Sequence, residues 1–343
     1  MPSPLIQIRG LRKTYGGAVA VANLDLDVHR GEIVGLLGPN GAGKSTTLET
    51  VCTLRRPTAG EVLVAGVDVT TDPGAVRTRI GTVLQAAALD PVMTGREALR
   101  LQARLRGLSG QAARSAADAA LASLDILDRA DARIGTLSGG QRRRVDIAAA
   151  VVGGADVLVL DEPTAGLDPV SRRGLWAHLR RLADEGVAVL LSTQDLQEAE
   201  VLADRLVVLR AGEVAAAAST ADLKASVGSR ALVLELAGPA ERTSAAAVAR
   251  DRGLLAGDDE PTDDPTDDDA TDDRGEVSLR VRLAAHDDGA CVAAYLAALV
   301  GAGIEVRGFA LDSPTLDDVY LHLTADAADA ATPAAVRPLV ETR

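Results

Sequence analysis

Short, continuously apolar runs recur through the first two thirds of the chain, separated by longer segments of mixed polarity. Residues 33–37 ("IVGLL"), 157–160 ("VLVL") and 187–191 ("VAVLL") are apolar at every position, glycine included, without alternation. Strands of a parallel sheet read this way because helices cover both faces of the sheet. The pattern therefore predicts an α/β fold with buried parallel strands.

The first of these runs leads into a glycine-rich loop and then into a helical pattern. Leu48, Val51 and Cys52 share one face of that helix, so the stretch has the strand, loop and helix order that the GxxxxGK[ST] pattern requires. A chance match is the alternative, and the flanking elements argue against it. The predicted phosphate-binding residues are Gly38, Pro39, Asn40, Gly41, Ala42, Gly43, Lys44, Ser45 and Thr46.

The residue types in this loop fit phosphate binding. Gly38, Gly41 and Gly43 allow the backbone to curl so that its N–H groups face phosphate oxygens. The helix starting at Lys44 adds its positive end. Lys44 supplies a charge to the β- and γ-phosphates, and Ser45 offers a hydroxyl to Mg²⁺.

Two carboxylates follow the apolar run 157–160. Ligands collect at the carboxyl ends of parallel strands, so Asp161 is predicted to bind Mg²⁺ directly or through water. Glu162 is predicted to polarise the water that attacks the γ-phosphate. Adjacent carboxylates also occur in solvated turns, but the phosphate loop in the same chain favours the functional interpretation.

A second helix N-terminus that is suited to bind an anion is predicted within residues 136–152, "TLSGGQRRRVDIAAAVV". Ser138 is predicted to cap a helix that begins at about Gln141. Gly139 and Gly140 leave the backbone N–H groups open to a ligand.

Together, "GPNGAGKST", "LSGGQRRR" and "VLVLDEPT", in their chain order, resemble the ATP-binding cassette (ABC) ATPases over about residues 4–217. The resemblance implies a P-loop NTPase core of the RecA-like kind, with an antiparallel β subdomain and a helical subdomain at about 88–148. It also implies that the ligand is ATP with Mg²⁺, and that the reaction is hydrolysis to ADP and phosphate.

The resemblance assigns roles to further positions. Tyr15 matches the aromatic residue that stacks on adenine, although a tyrosine in a surface turn is the simpler alternative. Gln85 matches the glutamine that reaches Mg²⁺ and links the nucleotide to the helical subdomain. Asp168 matches an aspartate that communicates across a dimer.

The same resemblance implies a homodimer in the ATP-bound state. In the family two cassettes pack head to tail, and the signature of one contacts the γ-phosphate held by the other. Ser138, Gly139, Gly140 and Gln141 would then complete the partner's site, and one chain carries one full set of motifs.

Gln194 follows the apolar run 187–191, where most ABC ATPases carry a histidine that senses the γ-phosphate. The glutamine resembles the variant of the antibiotic-exporter subfamily. Its amide can donate a hydrogen bond but cannot become charged near neutral pH. Glu162 is therefore the better candidate for the catalytic base.

Beyond residue 217 the pattern changes. Residues 229–238 and 275–284 alternate like strands and have helical patterns nearby, which predicts a small α/β accessory domain at 221–325 followed by a tail at 326–343. The ending "SPTLDDVYLHLT" resembles the C-terminal extension of the daunorubicin-resistance subfamily of ABC ATPases.

Most of the net charge of −13 comes from one stretch. Residues 257–273 hold ten acidic residues and no basic ones, and without them the charge would be −3. The run is predicted to be a disordered, solvated loop; a calcium loop is the alternative, but its glycine and terminal glutamate are missing. The acidic balance also argues against nucleic-acid binding.

The remaining features indicate a cytosolic protein. No apolar run approaches the ~20 residues of a membrane-spanning helix, the N-terminus lacks a secretion signal, and Cys52 and Cys291 stand singly.

The leading hypothesis is the ATPase subunit of an exporter, peripheral on the cytoplasmic face of the membrane through a separate transmembrane permease. The predicted coupling surface is residues 90–101, and a drug or antibiotic is the expected cargo. A lipid or polysaccharide exporter, a soluble cassette acting on ribosomes or nucleic acid, and a nucleotide sensor without turnover are the alternatives. Glu162 and the intact signature argue against a sensor without turnover.

Overall fold

The computed structural model describes residues 3–84, 89–227, 231–252, 277–282, 289–312 and 314–325. These residues fall into two compact units, a large one that comprises the residues up to Leu223 and again from Leu323, and a small one from Lys224 to His322. The predicted domain limits of 4–217, 88–148 and 221–325 stay predictions. The predicted acidic loop at 257–273 and the tail at 326–343 lie outside the described residues.

A mixed sheet forms the centre of the large unit. Its strands are β1 (Ile6–Tyr15), β2 (Ala18–Val28), β3 (Ile33–Leu37), β4 (Ala59–Val64), β5 (Val67–Asp68), β6 (Ile80–Val83), β7 (Val157–Asp161), β8 (Ala188–Thr193), β9 (Arg205–Arg210) and β10 (Glu213–Ala218). Their order across the sheet is β5-β4-β1-β2-β10-β9-β3-β8-β7-β6. The stretch from β9 to β6 is parallel, whereas β1, β2, β4 and β5 pair antiparallel.

Helices lie between or after these strands in the chain, and several of them pack against the sheet or connect its parallel strands. They are α1 (Lys44–Val51), α2 (Pro73–Arg79), α3 (Gly95–Leu105), α4 (Gly110–Ser123), α5 (Gly139–Val151), α6 (Pro169–Asp184), α7 (Leu196–Leu202) and α8 (Thr220–Val227), with short 3₁₀ turns at Leu127–Arg129 and Ile134–Thr136. Local sequence fixes several of their starts. Thr94 and Glu97, for example, form a reciprocal capping box at the start of α3.

Two apolar layers explain why the parallel strands are apolar at every position. Along β7, Val157 and Val159 face one core cluster, whereas Leu158 and Leu160 face another on the opposite side of the sheet. Both faces are buried, so no position of the strand tolerates a polar residue until the strand ends.

The small unit has a core of its own. It contains the strands β11 (Ala231–Leu236), β12 (Val277–Arg282) and β13 (Val306–Asp312), in the antiparallel order β12-β11-β13. Its helices are α9 (Pro239–Asp251) and α10 (Gly289–Gly301), followed by α11 (Leu316–Ala325). Tyr295 is fully buried, and its hydroxyl donates a 2.8 Å hydrogen bond to the carbonyl of Ala245.

None of the helices within the described ranges has the length and apolar character needed to cross a bilayer.

Candidate active site

The sheet order brings distant stretches of sequence to one edge. β3, β8 and β7 are neighbours and run parallel, so their carboxyl ends lie side by side. The phosphate loop follows β3, Gln194 follows β8 and Glu162 follows β7. Because β8 lies between the other two strands, Gln194 lies between the loop and Glu162.

Two glycines in the phosphate loop have no tolerable substitute. Gly38 has a φ of 154°, and a Cβ there would come within 2.3 Å of the Leu209 carbonyl oxygen. Gly43 has a φ of 104°, and its Cβ would come within 2.6 Å of the Ala20 carbonyl oxygen. The loop therefore packs too closely against β9 and β2 for any side chain at these positions.

Lys44 is buried at the start of α1, with 5% of its surface exposed. Its ammonium group donates hydrogen bonds to the carbonyl oxygens of Gly38, at 2.5 Å, and Pro39, at 3.1 Å. Burial lowers the pKa of this ammonium group, while the negative charges of Glu162 and Asp161 act in the opposite direction. The cation is thus held inside the loop and close to two carboxylates.

Asp161 lies at the end of β7 with its carboxylate turned towards α1 and β8. Its Oδ1 accepts hydrogen bonds from the hydroxyls of Ser192 and Ser45, the latter at 3.5 Å. Asp161 is buried, whereas Ser45 is exposed. A carboxylate and a hydroxyl therefore converge beside the phosphate loop.

Glu162 adopts a left-handed backbone conformation with a φ of 46°. Its N–H donates to the Ser192 carbonyl, at 3.1 Å, and to the Ser192 hydroxyl, at 3.2 Å. Non-glycine residues seldom adopt this conformation, and the surrounding structure must hold it. The turn places the Glu162 side chain beside Gln194.

Gln194 joins the phosphate loop to Glu162. Its Nε2 donates a hydrogen bond to the Glu162 carboxylate and another, of 2.9 Å, to the Asn40 side-chain oxygen. Both protons of the amide are used, one on each side. The glutamine thus lies in a polar contact, although the first four residues of the strand before it are apolar.

The signature helix α5 starts two residues earlier than predicted. Ser138 is its N-cap, and the Ser138 hydroxyl accepts from the Gln141 N–H at 3.2 Å while the Gln141 side chain accepts from the Ser138 N–H at 3.1 Å. This reciprocal cap makes Gly139 and Gly140 the first two residues of the helix. Gly140 is buried against Ser171, and Ser138 and Gly139 are exposed.

Asp168 is exposed and caps α6. Its carboxylate accepts from the Ser171 hydroxyl at 2.6 Å and from the backbone N–H groups of Ser171 and Val170 at 2.9 and 3.0 Å. The Ser171 side-chain bond, with these backbone bonds, lowers the pKa of Asp168. Within the chain, this carboxylate is used for capping.

Tyr15 ends β1 with 40% of its surface exposed. The Lys13 ammonium lies 4.9 Å from the centre of the Tyr15 ring, on one of its faces. The structure does not bring Tyr15 into a hydrogen bond with the phosphate loop. Gln85 lies outside the described residues.

Sequence reasoning missed two charged residues near this edge, Arg143, which is partly buried, and Glu198, which is buried. Arg143, on α5, donates hydrogen bonds to backbone carbonyls at the end of β7. Glu198, on α7, accepts a 3.2 Å bond from the indole N–H of Trp176. Burial raises the pKa of Glu198, opposed by hydrogen bonds from Thr193, Thr164 and Trp176.

The signals for these two residues are weak in the sequence. Arg143 is the middle residue of an "RRR" triplet that reads as a solvated face, and Glu198 falls three residues after the capping Asp195. Their partners are distant in the chain, so only the fold identifies them.

The "ABC transporter" family profile matches residues 21–165. The daunorubicin/doxorubicin resistance ATP-binding protein DrrA of Streptomyces peucetius is 42% identical over 330 residues, 96% of this chain and 94% of that protein. The doxorubicin resistance ATP-binding protein DrrA of Mycobacterium tuberculosis is 36% identical over 95% of this chain and 96% of its own length.

A second group of relatives matches a shorter stretch. The Nod factor export ATP-binding protein I of Burkholderia orbicola is 43% identical over 235 residues, which is 68% of this chain and 77% of that protein.

Solved structures agree with the fold. An ATP-binding subunit of an ABC transporter superposes with a TM-score of 0.59 at 29% identity, covering 65% of this chain and 92% of its own. A dimeric ATP-binding cassette in a post-hydrolysis state, bound to ADP and Pi, gives a TM-score of 0.57 at 29% identity over 62% of this chain and 98% of its own. These likenesses confirm the predicted fold class, an ABC-type P-loop α/β fold.

Proposed function

The chain belongs to the ATP-binding cassette family of transporter ATPases, and on that premise we propose how its residues bind and hydrolyse ATP and what the hydrolysis drives. The single observation that carries the proposal is the Gln194 amide, which joins Asn40 of the phosphate loop to the Glu162 carboxylate. A group that touches both can respond to the presence of a γ-phosphate and adjust the base at the same time.

The nucleotide's phosphates bind in the loop of residues 38–46. Backbone N–H groups of the loop and of the first turn of α1 face the phosphate oxygens. The Lys44 ammonium exchanges its loop carbonyls for β- and γ-phosphate oxygens, which are stronger, charged acceptors. Tyr15 stacks on the adenine with the ring face that Lys13 leaves open.

The oxygens of Ser45 and Asp161 suit Mg²⁺. Both are hard ligands, and their separation of 3.5 Å places them on one side of the loop. Gln85 would add a third oxygen. When bound, the ion neutralises charge on the β- and γ-phosphates.

Glu162 acts as the general base. Its carboxylate accepts a proton from the attacking water as the oxygen of that water bonds to the γ-phosphorus and the bond to the ADP oxygen breaks. Gln194 donates a hydrogen bond and carries no titratable proton, so it orients the γ-phosphate and the base without competing for the proton.

Two chains form the complete sites in the ATP-bound state. Ser138 and Gly139 are exposed at the start of α5, where helix N–H groups and the helix dipole favour an anion. Gln141 stabilises the start of α5 through the capping box with Ser138, and Gly140 allows that start to pack against Ser171. Each signature, with Asp168 at the start of α6, then contacts the nucleotide held by the partner, as an isologous dimer requires.

A separate transmembrane permease receives the mechanical output, which keeps the ATPase peripheral on the cytoplasmic face. Residues 90–101 form the docking surface. A concavity of about 620 Å³ lies there, bordered by Val92 and Met93 together with Asp90, Thr94, Glu97 and Arg133. Val92 is 68% exposed, so its apolar side chain is accessible to a partner.

Drugs or antibiotics are the proposed cargo. The drug-resistance relatives match almost the whole chain, whereas the Nod factor export relative matches 68% of it. The additional matched length is what favours the drug-resistance group.

The test of the catalytic assignment is a pair of variants. Glu162→Gln keeps the shape of the side chain but cannot accept a proton, so we expect ATP-dependent dimers and a hydrolysis rate lowered by about 10²-fold or more. Lys44→Ala should weaken ATP binding by roughly tenfold or more, because a charge-assisted contact is lost. Parental turnover in the first variant, or an unchanged ATP dissociation constant in the second, would contradict these roles.

The coupling to export is tested by affinity purification from native membranes. A multi-span membrane protein should be recovered with this chain, and an added drug substrate should change its ATPase rate. Recovery of ribosomes or nucleic acid in its place would contradict the exporter assignment.

A further inference from the structure

Arg143 reaches from the signature helix into the backbone around Glu162. Its Nε donates to the Pro163 carbonyl at 2.8 Å, and one terminal nitrogen donates to the carbonyls of Asp161, at 3.1 Å, and Glu162, at 3.3 Å. The other terminal nitrogen lies 3.4 Å from the Leu84 carbonyl at the end of β6. One side chain therefore holds three consecutive carbonyls at the end of β7 and one that directly follows the neighbouring strand β6.

All of these bonds end on backbone carbonyls. Burial lowers the pKa of the Arg143 guanidinium, while the charges of Asp146, Glu198 and Asp161 act against that effect. Arginine nevertheless stays charged in proteins, so carbonyl dipoles hold a partly buried cation. Such an arrangement is costly to bury and makes the guanidinium sensitive to the position of each carbonyl.

The carbonyls at the end of β7 that accept from Arg143 belong to Glu162, whose backbone is strained, and to its two neighbours. Glu162 has its left-handed φ of 46°, and its own carbonyl and both adjacent ones accept from Arg143. A strained conformation persists only where its surroundings fix it. Arg143 supplies that restraint from one side, and Ser192 supplies it through the Glu162 N–H from the other.

We propose that Arg143 is a positioning residue that fixes the Glu162 backbone, aims the Glu162 carboxylate, and ties that aim to the position of the signature helix. The proposal rests on the role of Glu162 given above. Since α5 carries both Arg143 and the signature, a shift of the helix on dimer formation moves the guanidinium and the carbonyls that it holds. When the signature of one chain completes the partner's site, the same helix movement therefore changes the geometry of Glu162 in the first chain.

The neighbouring arginines provide controls on the same helix. Arg142 donates to the Leu137 carbonyl at 3.3 Å, and Arg144 donates to the Asp125 carbonyl at 3.4 Å. Neither bond involves the residues after β7. Arg144→Lys is therefore the matched control for Arg143→Lys.

The experiment measures turnover per bound ATP in Arg143→Lys. Lysine keeps the charge but lacks the planar fork that reaches several carbonyls together. We expect kcat to fall by roughly 10- to 100-fold, as for a small displacement of a catalytic group, with the ATP dissociation constant within about twofold of the parent. Arg144→Lys should behave like the parent. Equal turnover per bound ATP in Arg143→Lys and the parent would overturn the proposal.

A double variant separates positioning from general damage. If Arg143 acts through the Glu162 carboxylate, Arg143→Lys should not slow a Glu162→Gln protein any further, because the base is already lost. A further fall of the same factor would show that the role is structural, and would overturn the proposal. Arg143→Gln is the second variant, and its turnover is again normalised to the ATP bound.

The two assignments fail in different ways. If Glu162→Gln hydrolyses ATP slowly while Arg143→Lys has the parental turnover, only the positioning role of Arg143 is contradicted. If Glu162→Gln has the parental turnover, Glu162 is not the general base, and the positioning role of Arg143 that depends on it is contradicted too.

Discussion

Gln194 is exposed, yet both protons of its amide are engaged, one with Asn40 and one with Glu162. A carboxamide suits this position because it can donate to two acceptors on opposite sides and stays neutral across the physiological range. The contact gives the phosphate loop a direct connection to the proposed base.

Substitution of Gln194 tests that connection. Gln194→Ala removes the donor, and we expect kcat to fall by about 10²-fold, as when one hydrogen-bond donor to developing charge is lost. Gln194→His should keep most of the activity, because an imidazole N–H can still donate. Steady-state ATPase assays at saturating ATP compare the two. Parental activity in the alanine variant would show that Gln194 is an ordinary strand end.

Glu198 makes a prediction about pH. Burial raises its pKa above the usual value of 4.5, so the folded protein keeps this proton to a higher pH than the unfolded chain does. The parent therefore loses stability as the pH rises from about 4.5 through the folded-state pKa, and the loss then levels off. Glu198→Gln cannot ionise and avoids the loss.

Thermal midpoints of the parent and of Glu198→Gln, taken at steps from about pH 4 to pH 8, measure this effect. The thermal midpoint of the variant, relative to that of the parent, should increase as the pH rises from about 4.5 through the folded-state pKa of Glu198. Titrations of other groups cancel in the difference. A difference that does not change with pH would contradict a raised pKa of Glu198.

At the scale of elements, the parallel strands were the easiest part to predict. The apolar run 157–160 is β7, which continues through Asp161, and 33–37 coincides with β3. These strands are buried on both faces, so the pattern is unbroken and its polar end marks the site. The start of α5 was predicted wrongly, near Gln141, because the glycines after Ser138 read as loop although the cap makes them helical.

The rest of the site depends on tertiary contacts that no local pattern carries. Arg143 bonds to carbonyls, which every residue has, so nothing in the sequence around residues 161–163 indicates an arginine partner. The bond from Gln194 to Asn40 spans 154 positions of sequence and exists because β8 lies beside β3.

The close contact between Gly140 on α5 and Ser171 on α6 leads to a further prediction. A Cβ on Gly140 would come within 2.4 Å of the Ser171 hydroxyl oxygen and 2.6 Å of the Ser171 Cβ. Gly140→Ala should therefore destabilise the fold by about 1–3 kcal/mol through overpacking. Ser171→Gly removes both opposing atoms, so the double variant should recover part of the loss.

A double-mutant cycle of urea midpoints measures that coupling. The single Ser171→Gly variant corrects for the lost bond to Asp168. Strictly additive effects would show that the two helices move apart without strain.

At the scale of the whole molecule, the two units have separate cores. Leu232, Leu234 and Tyr295 belong to a cluster formed only by residues of the small unit among those described. The phosphate loop, the signature and Glu162 all belong to the large unit. The residues proposed to bind and hydrolyse ATP thus lie in the large unit, and the proposed dimer places its two sites across the partners.

Mixed dimers test whether each site draws on both chains. A Lys44→Ala chain keeps its signature, and a Ser138→Asp chain keeps its phosphate loop. Aspartate is also a good helix N-cap, so Ser138→Asp should preserve α5 while its charge repels the partner's γ-phosphate. Each variant alone should be nearly inactive, but each mixed dimer contains one complete site.

Equal mixing should therefore restore about a quarter of the parental ATPase activity, since half of randomly paired dimers are mixed and each has one of two sites. The control mixes the Lys44→Ala chain with a chain that carries both substitutions, a pair in which no complete site can form. No recovery in the first mixture, or full activity in Ser138→Asp alone, would contradict a signature that acts in trans. Recovery only in the first mixture would place Ser138 of one chain at the nucleotide held by the other.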